Sequence, residues 1–155
     1  MIARLHQWRC LLTAWALALV SAHAQAVFVV TEPWVRPARA AQSTEAYMEL
    51  MSSDGATLVG VRSKVATSVV LHGARGSPIA LSLPAGATVA LAPGKLRLTL
   101  GKLGSTLRLG DRVPITLIVR DGTGVTQEIG VDAEVRLHSP THDHQHPHTH
   151  APKPD

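Results

Sequence analysis

Residues 83–103 read LPAGATVALAPGKLRLTLGKL, and this stretch decides the fold class. Over residues 95–100 (KLRLTL), leucines alternate with polar side chains. A period of two predicts a strand with one buried side and one solvent-facing side, so Arg97 and Thr99 lie together on the solvent side. The Pro-Ala-Gly and Pro-Gly segments ahead of it are typical of turns, because proline fixes φ and glycine adopts backbone angles that other residues avoid. Each turn therefore precedes a new strand.

The chain up to residue 137 continues this pattern of short Val-, Leu-, Ala- and Thr-rich runs separated by Gly, Pro and Asp, without long helical periodicity. We expect a long loop at residues 32–44, which contain Pro33 and Pro37, and a hairpin turn at residues 121–124 (DGTG). Short strands at this spacing predict a β-sandwich or barrel. The predicted strands cover residues 27–31, 46–51, 57–62, 68–71, 79–83, 88–91, 96–100, 115–120 and 125–131.

The order Leu-Pro-Ala-Gly, Thr-Val-Ala-Leu-Ala-Pro-Gly, Leu-Arg-Leu-Thr-Leu and Gly-Lys-Leu in the opening stretch resembles the PCu(A)C family of periplasmic copper chaperones. The resemblance covers residues 27–131. It also includes Trp34, Ala46-Tyr47-Met48, Val70-Leu71-His72 and Gly110-Asp111-Arg112-Val113-Pro114. It implies an all-β, cupredoxin-like Greek-key β-sandwich or barrel.

The same resemblance implies a shallow Cu(I) site, in which a His-x-Met strand is completed by a histidine and a methionine further upstream. Here the His-x-Met position reads Arg97-Leu98-Thr99, His72 aligns with the upstream histidine, and Arg75 falls at the upstream methionine if the shorter segment after His72 is aligned there. Cu(I) prefers sulfur and imidazole, whereas a guanidinium stays protonated and only donates hydrogen bonds. We therefore expect the implied site to be largely replaced. His72 is either a remaining metal ligand or a plain surface histidine.

Met48 and Met51 are the only methionines after the start residue. They lie on opposite faces of one predicted strand, so they do not easily form one site, and we expect Met48 in the core.

The first 24 residues have the pattern of a secretory signal peptide. Arg4 and Arg9 are basic, residues 11–20 are apolar, and Ala22-His23-Ala24 has the small-x-small pattern of a cleavage site. The apolar run is shorter than the roughly 20 residues of a membrane-spanning helix. The residues before Cys10 do not form a lipobox. We expect cleavage after Ala24, export to the periplasm and no membrane span afterwards.

Cleavage changes the chemistry of the chain. Cys10 is the only cysteine, so the secreted chain has no disulfide, thiolate metal site or cysteine nucleophile. It keeps 13 basic against 11 acidic residues, a balance that does not predict a nucleic-acid partner. Residues 25–137 are enough for one cupredoxin-like domain.

Residues 138–155 form a third segment, rich in histidine and proline. The prolines disfavour helix and sheet, and apolar residues are scarce, which predicts a disordered tail. From residue 142 the histidines occupy every second position, so in an extended chain neighbouring imidazoles can share one ion. Imidazole binds Cu(II) in preference to zinc or nickel. The candidate metal ligands are His72, His138, His142, His144, His146, His148 and His150.

Two functions fit these features. The first is a periplasmic copper-binding protein, related to copper chaperones, that captures Cu(II) or Cu(I) largely on its histidine tail and delivers it to a copper enzyme such as cytochrome c oxidase. Zinc or nickel could also bind the tail. The alternative is a non-metal interaction domain that uses a basic surface of His72, Arg75 and Arg97. No nucleophile and base pair is recognisable, so we do not expect an enzyme.

Overall fold

The computed structural model describes residues 27–73 and 79–140. These residues form nine strands and no α-helix. Each predicted strand is present, with bounds that differ by a few residues. The strands are β1 (Phe28–Val35), β2 (Thr44–Ser52), β3 (Ala56–Ser63), β4 (Ala66–His72), β5 (Leu81–Leu83), β6 (Thr88–Leu91), β7 (Arg97–Leu103), β8 (Arg112–Asp121) and β9 (Thr126–Val135).

The strands form one sheet in the order β4-β7-β2-β1-β9-β8-β3-β5, with β6 paired to β2 beyond the end of β7. β3 and β4 are consecutive in the chain and only two residues apart, yet they lie near opposite ends of this order. The sheet must therefore curl until these strands approach each other. This all-β architecture agrees with the predicted cupredoxin-like class.

The inner side of the curled sheet holds the hydrophobic core. Alternate residues of β2, β7, β8 and β9 contribute to it, as the period of two requires. Each fully buried leucine, isoleucine or valine stabilises the fold by about 1.5–3 kcal/mol relative to exposure. Residues with 0 % exposure are Val35, Ala46, Leu50, Leu58, Leu98, Leu100, Val113, Leu117 and Ala133.

The predicted loop at residues 32–44 begins four residues too early, because β1 continues to Val35. A bulge shifts the register between Thr31 and Trp34, and Glu32 has a φ of 49°. The extra residues let the chain pass Pro33, which cannot donate a ladder hydrogen bond, and resume pairing with β2 and β9. The hairpin turn after β8 is as predicted: the Gly124 amide donates to the Asp121 carbonyl at 3.1 Å.

Candidate metal site

The outer side of β4 and β7 carries the positions at which the resemblance places copper ligands. His72 and Arg97 are paired across the two strands, and His72 is exposed. The neighbouring Leu71 and Leu98 are buried. Thr99, two residues along β7, is also on the outer side and only partly buried. We call His72, Arg97 and Thr99 the β4–β7 face.

Arg97 forms an ion pair that the sequence did not predict. Its Nε lies 2.9 Å from Oε1 of Glu45, and each side chain is 35 % exposed. The Nε is shielded from solvent, and the contact has the distance of an ion pair without the angle of a hydrogen bond. Glu45 arrives here because it is paired with Thr99 across β2 and β7. The carboxylate offsets the charge of Arg97, so this face is less basic than the sequence indicated.

Tyr47 extends the ion pair toward β1. Its hydroxyl donates a hydrogen bond to Oε2 of Glu45. Its ring packs against Trp34 with 4.5 Å between ring centroids, and the Arg36 guanidinium lies 5.8 Å from the ring centroid. Burial, followed by the hydrogen bond and negative charge of Glu45, raises the pKa of Tyr47 to about 12. Tyr47 therefore stays a neutral donor that helps hold the Glu45 carboxylate.

This arrangement leaves the β4–β7 face with few metal ligands. Within residues 27–73 and 79–140, no three or more His, Cys, Asp or Glu side chains are arranged to hold a metal ion. Arg97 donates only, Glu45 is engaged by Arg97 and Tyr47, and His72 contributes a single imidazole. Arg75 lies outside the described residues.

The two methionines are separated as expected. Met48 is 2 % exposed and belongs to the core, whereas Met51 lies on the other face of β2 and is partly buried. They do not form a shared thioether site.

A second candidate region lies beside the end of the described chain. An open cleft of about 360 Å³ is bordered by β1, β2, the turn after β6, and the residues that follow β9. We call it the β1–β2 cleft. Its lining includes His138 but neither His72 nor Arg97, so these predicted site residues do not share one site. The residues whose chemistry bears on binding are Glu32, Trp34, Arg36, Met48, Glu49 and His138.

The family follows from a match that covers most of the chain. A family model described as "Putative lipoprotein LpqE-like" matches residues 28–142. The chain belongs to the LpqE-like family. Membership of this family indicates an exported protein. No helix within residues 27–73 or 79–140 has the length and apolar character to cross a membrane.

Three solved structures have folds similar to that of this LpqE-like protein. The apo PCuAC domain from PmoF1 is 26 % identical, with a TM-score of 0.59 over 70 % of this chain and 92 % of that domain. The copper-bound PCuAC domain from PmoF2 is 28 % identical, with a TM-score of 0.58 over 70 % and 91 %. The Cu(I) form of DR1885 from Deinococcus radiodurans is 29 % identical, with a TM-score of 0.51 over 75 % and 85 %. A search of curated proteins finds no match.

These similarities confirm the predicted resemblance to the PCu(A)C family and its fold. The metal assignments stay predictions. His142, His144, His146, His148 and His150, together with the predicted signal peptide at residues 1–24, lie outside the described residues.

Proposed function

We propose that this LpqE-like protein is an exported copper-binding protein, related to copper chaperones, that holds copper mainly on its histidine-rich C-terminal segment. The ion pair between Arg97 and Glu45 is the observation that carries the proposal. It occupies a position at which the resemblance requires a metal ligand, while the chain supplies six histidines further on. Copper-bound forms of two similar structures support the choice of metal.

The chemistry of the tail suits capture and release. Neutral imidazoles bind Cu(II), and closely spaced histidines exchange ligands without a rigid pocket. A recipient with a better-organised site can then remove the ion stepwise. Because a protonated imidazole cannot bind a metal, affinity decreases as pH falls through the range near 6.5 in which histidine titrates. Zinc and nickel are weaker competitors for the same ligands.

We also propose a cellular compartment for the protein and a recipient for its copper. Cleavage after Ala24 releases a chain without cysteine, which suits an oxidising compartment. A periplasmic or membrane-bound copper enzyme such as cytochrome c oxidase is the recipient. The curled sheet serves as a carrier that presents the metal segment.

The test compares the secreted chain, residues 25–155, with a variant in which five tail histidines are replaced by glutamine. Equilibrium dialysis against Cu(II) and a competing chelator measures bound copper. We expect the variant to lose most of the bound copper because its imidazoles are gone, and a His72→Gln control to retain it. Equal copper in the variant and the unmodified chain would refute the proposal. The replaced residues are His142, His144, His146, His148 and His150.

A further inference from the structure

The β1–β2 cleft lies where the histidine-rich segment leaves the fold. Leu137, His138 and Ser139 line it, and Pro140 is the last described residue. Fifteen residues follow Pro140 in the sequence. His142 is four residues from His138, so their Cα atoms are at most about 14 Å apart, given about 3.3–3.6 Å per residue of extended chain. This length of chain therefore allows the imidazole of His142 to reach the cleft.

The cleft has an excess of carboxylates over cations. Glu32 and Glu49 both line it, both are partly buried, and neither forms an ion pair with any residue in 27–73 or 79–140. Glu49 accepts a hydrogen bond from the Thr31 hydroxyl at 3.3 Å. The bulge in β1 lets Glu32 occupy the wall of the cleft instead of a regular ladder position. Arg36, the one guanidinium in the lining, lies near the Tyr47 ring.

Partly buried carboxylates without cationic partners favour a positively charged occupant. A Cu(II) ion bound by neutral imidazoles keeps its two positive charges, so residues 141–150, whose one ionised acidic side chain is Asp143, change from net negative to net positive when one ion is bound. His138 is already in the cleft and has an imidazole that can join the coordination. The carboxylates of the cleft and its position next to the end of the described chain therefore both favour the copper-loaded histidine segment as its occupant.

We propose that residues 141–150 of this chain dock in the β1–β2 cleft when they carry copper, with His138 as a ligand and Glu32 and Glu49 facing the cation. This inference rests on the proposed function, because it requires the segment to bind copper. The cleft then distinguishes loaded from empty protein, since only the loaded segment has the charge that the carboxylates attract.

The fluorescence of Trp34 reports whether the copper-loaded segment docks in the cleft. It lines the cleft and is the only tryptophan after residue 24. Paramagnetic Cu(II) quenches nearby indole fluorescence, whereas closed-shell Zn(II) does not. We expect Cu(II) to quench Trp34 in residues 25–155 at the metal equivalents that dialysis reports as bound, and Zn(II) to leave emission unquenched. In a Glu32→Gln/Glu49→Gln variant, the copper concentration at half quenching rises about 3- to 10-fold, which corresponds to about 0.7–1.4 kcal/mol for the two carboxylates together.

Controls separate docking from a general change in charge or fold. Asp54→Asn removes an exposed carboxylate outside the cleft lining and leaves the midpoint unchanged. His138→Gln raises the midpoint while retaining copper on the other histidines. Circular dichroism of each copper-free variant verifies that it folds.

The outcomes distinguish the two proposals. Copper bound in dialysis with Trp34 unquenched, or quenched equally in the double-glutamine variant, overturns docking and leaves the proposed function intact. Failure to bind any copper in dialysis overturns both. Quenching that depends on Glu32, Glu49 and His138, but not on Asp54, establishes docking.

Discussion

At the residue scale, Arg97 stands where the resemblance predicts a histidine ligand. It removes a metal ligand from this position, and its ion pair with Glu45 stabilises the fold slightly. An arginine in place of a histidine ligand removes an electron-pair donor and adds a cation, which excludes Cu(I) coordination by that side chain. Its pair with Glu45 is about one-third exposed on each side, and exposed pairs contribute only about 0–1 kcal/mol. The chemical consequence of Arg97 therefore outweighs its stabilising effect.

Tyr47 gives the first prediction at this scale. It is the only tyrosine in the chain, so phenolate absorbance during a pH titration reports it alone. We expect ionisation near pH 12 in the folded protein. In Glu45→Gln the pKa falls but stays above the ordinary value of 10.0, because burial is the largest cause of the shift and remains. An unchanged pKa of Tyr47 in Glu45→Gln would contradict the Glu45–Tyr47 contact.

The same pKa determines how stability changes in alkali. A raised folded-state pKa means that the unfolded chain loses its proton first, so the stabilisation is complete below pH 10.0 and is lost as pH rises to about 12.

The sequence predicted the shared face of Arg97 and Thr99 from local alternation, and it predicted Met48 in the core. It did not predict Glu45, because the pairing that brings Glu45 beside Thr99 joins strands about 50 residues apart and has no local signal. Alternation along β2 places Glu45, Tyr47 and Glu49 on one face, but it does not say which strand they meet.

At the element scale, β1 and the β4–β7 pair show how backbone geometry positions the two candidate regions. Pro33 favours a loop at residues 32–44 when only the sequence is considered, because proline disfavours a regular strand. Local sequence does not distinguish a loop from a bulged strand. The deciding contacts are distant: β1 pairs with β2 before and after the bulge, and in parallel with β9 at Trp34 and Val35.

Gly101 gives the prediction at this scale. It is paired with Ser68, and a Cβ at this position would lie 2.5 Å from the Ser68 Oγ. We expect Gly101→Ala to lower the free energy of unfolding by about 1 kcal/mol, because the hydroxyl must move to relieve the overlap. Urea unfolding followed by Trp34 fluorescence measures the change.

A double-mutant cycle isolates the contact. Ser68→Ala removes the hydroxyl, so Gly101→Ala should be neutral or stabilising in that background. An equal loss of stability in both backgrounds would show that the space between β4 and β7 is not limited by Ser68.

At the scale of the whole molecule, the nine strands could be predicted from sequence, but their order could not. Strand existence follows from alternation and turn residues, whereas the β4–β7 and β1–β9 neighbours depend on contacts between distant parts of the chain. The order matters for function because it places β2 between β7 and β1, so that Glu45 and Tyr47 on β2 connect the β4–β7 face to the β1–β2 cleft. His72 and His138 are both predicted ligands, but His72 lies on the β4–β7 face and is not among the residues that line the cleft with His138.

The folded sheet and the histidine-rich segment have different roles in the proposed function. The sheet has the PCuAC-like fold, and Arg97, at a position where the resemblance predicts a metal ligand, forms a cluster with Glu45 and Tyr47. We propose that the histidine segment provides imidazoles for the metal and that the carboxylates lining the β1–β2 cleft attract the loaded segment.

X-ray absorption at the copper edge distinguishes copper on the histidine segment from copper bound by a methionine of the folded domain. The sample is residues 25–155 loaded with one equivalent of copper, in both the reduced and oxidised state. We predict scattering from nitrogen and oxygen only, with the multiple-scattering pattern of imidazole, because the tail contains no sulfur. A copper–sulfur contribution would require Met48 or Met51, the only sulfur atoms in the secreted chain. That result would place the copper in the folded domain and contradict the proposal that the histidine-rich segment holds it.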